Sequence, residues 1–207
     1  MKLSKVFTFG LVIFSTFIFS QDNTFLKPTD HPLFSNINND YYYLLRSVLL
    51  KKDFPTLALL KTSHKPESIL YVTYDTNNFK YYLNFKITQK SLWEKYYNQS
   101  KEDIKITSFK KEIDNSSYEI LKELFDSNLY KTRYDSNYKE YFDGEQFLFF
   151  SDRKTGSIES VSKSSNVFKT IKICEKIIEL LQNDNNNKLT FSSDLQTEIK
   201  EIIINNK

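Results

Sequence analysis

The 207 residues carry 29 Lys and Arg against 26 Asp and Glu, a formal net charge of +3 with the two signs interspersed. So weak a field argues against electrostatic capture of nucleic acid or of an anionic membrane surface. Cys174 is the only cysteine, which excludes a disulfide-stapled scaffold and leaves stability to a packed core.

In chain order, residues 1–5 hold Lys2 and Lys5 and no acid, residues 6–19 are apolar, and Ser20 precedes the polar Gln21-Asp22-Asn23. This is the pattern of a secretory signal peptide over residues 1–20. Its apolar core is shorter than the roughly 20 residues a spanning helix needs, so no membrane span is expected after its removal. Loss of Lys2 and Lys5 leaves 27 basic against 26 acidic residues. The wealth of Lys, Asn, Ile, Phe and Tyr resembles, in style only, exported proteins of AT-rich Gram-negative bacteria. A periplasmic or extracellular location is expected.

Residues 21–39 contain Pro28 and Pro32 and read as an extended arm. From Asp40, the spacing of Tyr41, Leu44, Leu45, Val48 and Leu49 predicts a helix with one apolar face. Asp53-Phe54-Pro55 interrupts it, and a short second helix is expected over 56–62. Residues 68–75 read as a strand, Thr76-Asn77-Asn78 as a turn. A second strand then puts Phe79, Tyr81, Leu83, Phe85 and Ile87 on one face and Lys80, Tyr82, Asn84, Lys86 and Thr88 on the other. Ser91-Leu92-Trp93-Glu94 fits a capping box opening a helix, and 104–109 reads as a strand.

Ser116-Ser117-Tyr118-Glu119 fits a second capping box, before a stripe of Ile120, Leu121, Leu124, Phe125 and Leu129. Asp143-Gly144, between β-rich runs at 138–142 and 145–150, predicts a two-residue turn, and a further strand is expected over 157–163. Val167, Ile171, Cys174, Ile178 and Leu181 mark a helix opened by Asn166. A polar linker over 183–188 leads to a last helix with Leu195, Ile199, Ile202 and Ile203, capped by Ser193 or Asp194. The expectation is an α+β fold, an antiparallel sheet built from hairpins with amphipathic helices packed on one face. The α+β domain is assigned to 40–182, with 183–207 as linker and C-terminal helix.

Motifs for chemistry are sparse. His31 and His64 are the only histidines, and neither has a partner at metal-ligand spacing. Cys174 lies on the apolar stripe of its helix and reads as a buried hydrophobe. Ser-x-x-Lys begins at Ser108, Ser136, Ser151 and Ser160, a recurrence expected of a chain so rich in both residues, and its companion motifs are absent. Gly144 and Gly156 are the only glycines after residue 20, too few for a phosphate-binding loop. The segment from Asp184 to Lys188 lacks the central glycine and terminal acid of a calcium loop. Acids such as Asp75, Asp143 and Glu145 leave a carboxylate-dependent hydrolase open.

Aromatic residues are in surplus: Tyr41-Tyr42-Tyr43, Tyr81-Tyr82, Trp93, Tyr96-Tyr97 and the run from Phe147 to Phe150. Tyr82, sharing a strand face with Lys80 and Lys86, is expected to be exposed, and these three form the candidate partner-contact patch. No catalytic, metal or cofactor-binding residue is assigned, and no cofactor is expected. The function expected is non-enzymatic binding to a protein or glycan of the bacterial envelope. A hydrolase acting on glycans and a structural envelope protein are the alternatives.

Overall fold

The computed structural model describes residues 23–29, 40–63, 65–100, 102–134, 145–152 and 154–206. The signal peptide, His31, His64, Ser136, the expected strand at 138–142 and the Asp143-Gly144 turn lie outside the described residues.

Among the described residues eight strands form one sheet: β1 (Lys27–Pro28), β2 (Leu57–Thr62), β3 (Ser68–Asp75), β4 (Lys80–Thr88), β5 (Ile106–Ile113), β6 (Gln146–Ser151), β7 (Lys154–Glu159) and β8 (Lys188–Leu189). Their order is β1-β7-β6-β2-β3-β4-β5-β8. All neighbours are antiparallel except β5 and β8. Among the described residues five α-helices accompany the sheet: α1 (Asp40–Leu45), α2 (Leu92–Tyr97), α3 (Asn115–Leu129), α4 (Asn166–Asn183) and α5 (Ser193–Asn205). The chain is thus a mixed α+β protein with a largely antiparallel sheet.

Both faces of the sheet are covered, in place of the expected one-sided packing. Side chains alternate along a strand, so Leu57 and Leu59 face one way, Ala58 and Leu60 the other. The first set packs with Leu70, Val72, Leu83 and Phe149 beneath α3, α4 and α5, through residues such as Leu124, Ile171, Ile177 and Ile199. The second packs with Ile69, Tyr71 and Leu148 against Leu45, Leu49 and Leu50, and against Leu92 of α2. Residues 57–62 are therefore a central strand, where the sequence predicts a helix. Leu-Ala-Leu-Leu has high helix propensity, but a strand buried on both faces reads as a continuous apolar run without period two.

The helix predicted from Asp40 changes form at Arg46–Leu50, a π-helical turn closed by Lys51 N–H to the Arg46 carbonyl at 2.8 Å. The strand expected at 104–109 is displaced to 106–113, and β7 starts at Lys154 rather than at 157. β6 and β7 pair as far as Ser151 opposite Lys154, and Asp152, which follows β6, has φ 44°. Asp tolerates this left-handed conformation. Residues 188–189 pair with β5, and Leu189, Phe191 and Leu195 join the main core, so the C-terminal segment is part of the same packing unit.

Two expected caps move. Asp114 caps α3, accepting from Ser117 N–H at 2.8 Å and Ser116 Oγ at 2.6 Å, while Ser192 caps α5 through Leu195 N–H at 3.3 Å. Ser165 caps α4, and Ser91 caps α2 as its spacing predicts. Burial by itself would raise the Asp114 carboxyl, but its hydrogen bonds hold it down at about 2, against 3.8 for an ordinary aspartate. The depressed value means the cap's electrostatic contribution is complete above pH 3.8 and lost as pH falls through about 2. Asp114→Ala is expected to cost about 1 kcal/mol near pH 7. Urea titrations at decreasing pH should show the gap between variant and wild type closing over that interval.

Candidate functional site

The residues singled out from sequence do share one face of β4. Lys80 donates to Glu112 at 2.6 Å, and Lys86 to Asp53 at 3.0 Å. Asp53 also accepts from the Tyr71 hydroxyl at 2.5 Å. Burial opposes ionisation of Asp53, yet the Tyr71 hydroxyl and Lys86 keep it below the usual carboxylate range. Tyr82 is half-buried rather than exposed: its cross-strand partners are Thr73 and Glu112, and the Lys110 ammonium sits 4.2 Å from its ring centre. Both lysines and the ring are already engaged with neighbouring side chains. The patch is a mixed-charge strand face whose groups satisfy one another.

A different aromatic group assembles where α1 meets α2. Tyr41 lies 5.4 Å from Tyr42, 5.0 Å from Trp93 in an edge-on arrangement, and 5.9 Å from Tyr96, with Trp93 and Tyr96 6.0 Å apart. Tyr41 is buried, Tyr42 and Trp93 are half-buried, and Tyr96 is 40% exposed. Tyr43 and Tyr97, beside them in sequence, are each 75% exposed. The sequence shows these residues as separate runs. Their meeting depends on two six-residue helices packing on the same sheet face, which no local spacing reveals.

Glu67 fixes this arrangement, and sequence reasoning passes it over as an acid beside a proline. It is 0% exposed. Oε1 accepts from the Tyr41 hydroxyl at 2.9 Å and Trp93 N–H at 2.9 Å, and Oε2 from Leu92 N–H at 2.7 Å and the Thr88 hydroxyl at 3.3 Å. The Ser91 hydroxyl approaches Oε1 at 3.5 Å while capping α2 through Glu94 N–H. A carboxylate offers about four acceptor positions, and here they are taken. Glu67 thus ties α1, β4 and the first turn of α2 to the start of β3. Burial, then the Glu67 charge, pushes the Tyr41 hydroxyl well above its ordinary range and keeps it protonated as the donor.

The remaining reactive groups have structural partners. Asp75 accepts from Asn77 N–H and the Asn78 side chain within its turn, and Glu145 pairs with Lys61 at 2.7 Å. Ser151 is fully buried and donates to Asp126 at 2.6 Å. Lys122 bridges Asp126 at 2.5 Å and Asp152 at 2.8 Å. Burial would lower the Lys122 ammonium, but the two aspartates raise it above the usual lysine range, which makes it a poor base for Ser151. Cys174 is fully buried, and burial pushes its thiol far above the range of a reactive thiolate. Among the described residues no three His, Cys, Asp or Glu side chains converge as metal ligands, and no described helix is long and apolar enough to cross a membrane.

Among the described residues, cavities lie on the helical side. An open groove of about 870 Å³ runs between α3 and α5, and a smaller cavity of about 260 Å³ sits where α3 and α5 end and α4 begins. Set against known protein families, curated proteins and solved structures, the chain matches none.

Proposed function

We propose that the chain is an exported, non-enzymatic binding protein of the bacterial envelope, in the periplasm or outside the cell, and that its contact surface is the aromatic patch of α1 and α2. The supporting observation is the convergence of Tyr41, Tyr42, Trp93 and Tyr96 over a carboxylate anchor, with the exposed Tyr43 and Tyr97 beside them in sequence. Tyr and Trp supply large contact area with few rotatable bonds and a polar tip, the profile of residues that dominate binding surfaces. The partner class is a protein or a glycan. Engagement of Asp75 in a turn and of Glu145 in an ion pair favours this reading over a carboxylate hydrolase.

Export is tested by the intact mass of the protein recovered from its native host, which should lack residues 1–20; their retention would contradict it. For the patch, Tyr96→Ala and Tyr97→Ala should each weaken partner binding by about 1–2 kcal/mol and leave thermal stability nearly unchanged. Wild-type affinity in both variants would move the contact surface elsewhere.

A further inference from the structure

One edge of the sheet is left open. β8 pairs with Glu112 and Ile113 of β5, and residues 106–111 have no strand beyond them among the described residues. Three hydrogen bonds fix which way the backbone of β5 points. Thr88 N–H, opposite Ile106, turns away from β5 to the Glu67 carbonyl at 3.0 Å, and the Lys105 carbonyl turns inward to accept from Gln89 N–H at 2.9 Å. Glu112 N–H points outward, to the Asn187 carbonyl at 3.1 Å. Backbone groups alternate in direction from one strand residue to the next. The N–H and C=O of Ile106, Ser108 and Lys110 therefore face outward, as those of Glu112 do. Among the described residues no backbone group meets them, and Ser108 and Lys110 are exposed. Such a row of unpaired groups is a template for an added strand.

Charge indicates what the strand would carry. Where β8 covers the edge, Lys188 stands opposite Glu112 with its ammonium 3.8 Å from that carboxylate, so the covering strand opposes the charge it meets. Along the uncovered part the sign is reversed. Residues 105–111 hold Lys105, Lys110 and Lys111 and no acid. Lys111 is taken by Asp184, at 3.7 Å, whereas Lys105 and Lys110 are exposed and have no carboxylate partner among the described residues. Lys110 is held only by the ring of Tyr82, 4.2 Å away. A second copy offering the same strand would bring lysines to lysines, which opposes pairing. An acidic strand meets no such barrier.

We propose that the open edge of β5 binds an extended acidic segment of a partner protein by strand addition. Its backbone pairs with Ile106, Ser108 and Lys110, an acidic side chain lies beside Lys110, and apolar side chains pack on the half-buried Ile106 and Phe109, one on each face of the sheet. Backbone pairing supplies the affinity, and the lysines select against neutral and basic strands. This edge is distinct from the aromatic patch of α1 and α2 and stands or falls independently of it.

The test is selection of a displayed random heptapeptide library on the immobilised full protein, followed by fluorescence polarisation of the enriched peptides in solution. Enriched peptides should carry at least one Asp or Glu among β-branched or aromatic residues. Ser108→Pro removes an outward N–H and leaves the β4–β5 ladder intact, so the melting temperature should hold while peptide affinity falls at least tenfold. Lys110→Glu should weaken the acidic peptides about tenfold and favour their lysine counterparts. If Ser108→Pro does not fold, Lys110→Glu carries the test. No enrichment, enrichment without an acidic residue, or unchanged affinity in Lys110→Glu or in a folded Ser108→Pro would overturn the proposal. A wild-type dimer dissolved by Ser108→Pro in sedimentation analysis would give the edge to a second copy and overturn it as well.

Discussion

Glu67→Ala is expected to destabilise the protein by about 4 kcal/mol, the largest effect of any single polar substitution considered. Removal of the carboxylate leaves Leu92 N–H, Trp93 N–H and the Tyr41 and Thr88 hydroxyls without their acceptor in a site closed to water. It also opens a void beside Tyr41. Glu67→Gln separates the two contributions. It keeps the volume, but either orientation of the amide turns an N–H₂ group toward a backbone N–H, of Leu92 or of Trp93. The glutamine variant is expected to lose about 2–3 kcal/mol, less than alanine and far more than an exposed substitution. Urea denaturation of the three proteins decides it. A loss under about 1 kcal/mol in Glu67→Ala would mean that the carboxylate does not hold α1 and α2 in place.

Gly156→Val is expected to cost about 3 kcal/mol, for a reason unrelated to backbone freedom. Gly156 lies in β7 opposite Pro28 of β1 and Phe149 of β6, with no positive φ. A Cβ at this position would lie 2.9 Å from Thr132 Cγ2, 3.0 Å from Leu26 Cβ and 3.2 Å from Leu129 Cδ2. The missing side chain is what lets the N-terminal arm and the end of α3 close over the strand. Valine adds three carbons to a space that does not accept one. Thr132→Ser, which removes the nearest methyl, should recover part of the loss, and the double-mutant cycle measures the coupling. A valine variant as stable as wild type would show that this corner of the fold yields easily.

Legibility of the fold in the sequence follows the physics of each element. The stripes of α3, α4 and α5 and the alternation of β4 are readable because each presents one apolar face at a fixed period. β2 is misread because burial on both faces erases period two and leaves a helix-favouring run. β7 starts three residues earlier than expected because Lys154, Thr155 and Gly156, read as loop, pair with β6. Caps shift by one to two residues, as between Ser193 and Ser192, because several Ser and Asp residues compete near each helix start.

The candidate site is less legible than the fold. Glu67 carries no motif, and its five donors come from three separate segments that only the tertiary fold brings together. The aromatic residues are visible as an excess, but period-two logic points to Tyr82, on a strand face whose charges neutralise each other. The open cluster lies instead on two short helices whose placement depends on that unannounced glutamate.

The central claim, that the protein works by binding through the α1–α2 surface, is tested most directly by affinity capture from envelope extract of the native host. Wild type is compared with a Tyr43→Ala, Tyr96→Ala, Tyr97→Ala variant of equal thermal stability, and a broad hydrolase screen is run on the same preparations. The account predicts a defined protein or glycan retained by wild type and lost by the variant, with no turnover. Turnover abolished by changing an acidic residue, with nothing captured by wild type, would contradict it.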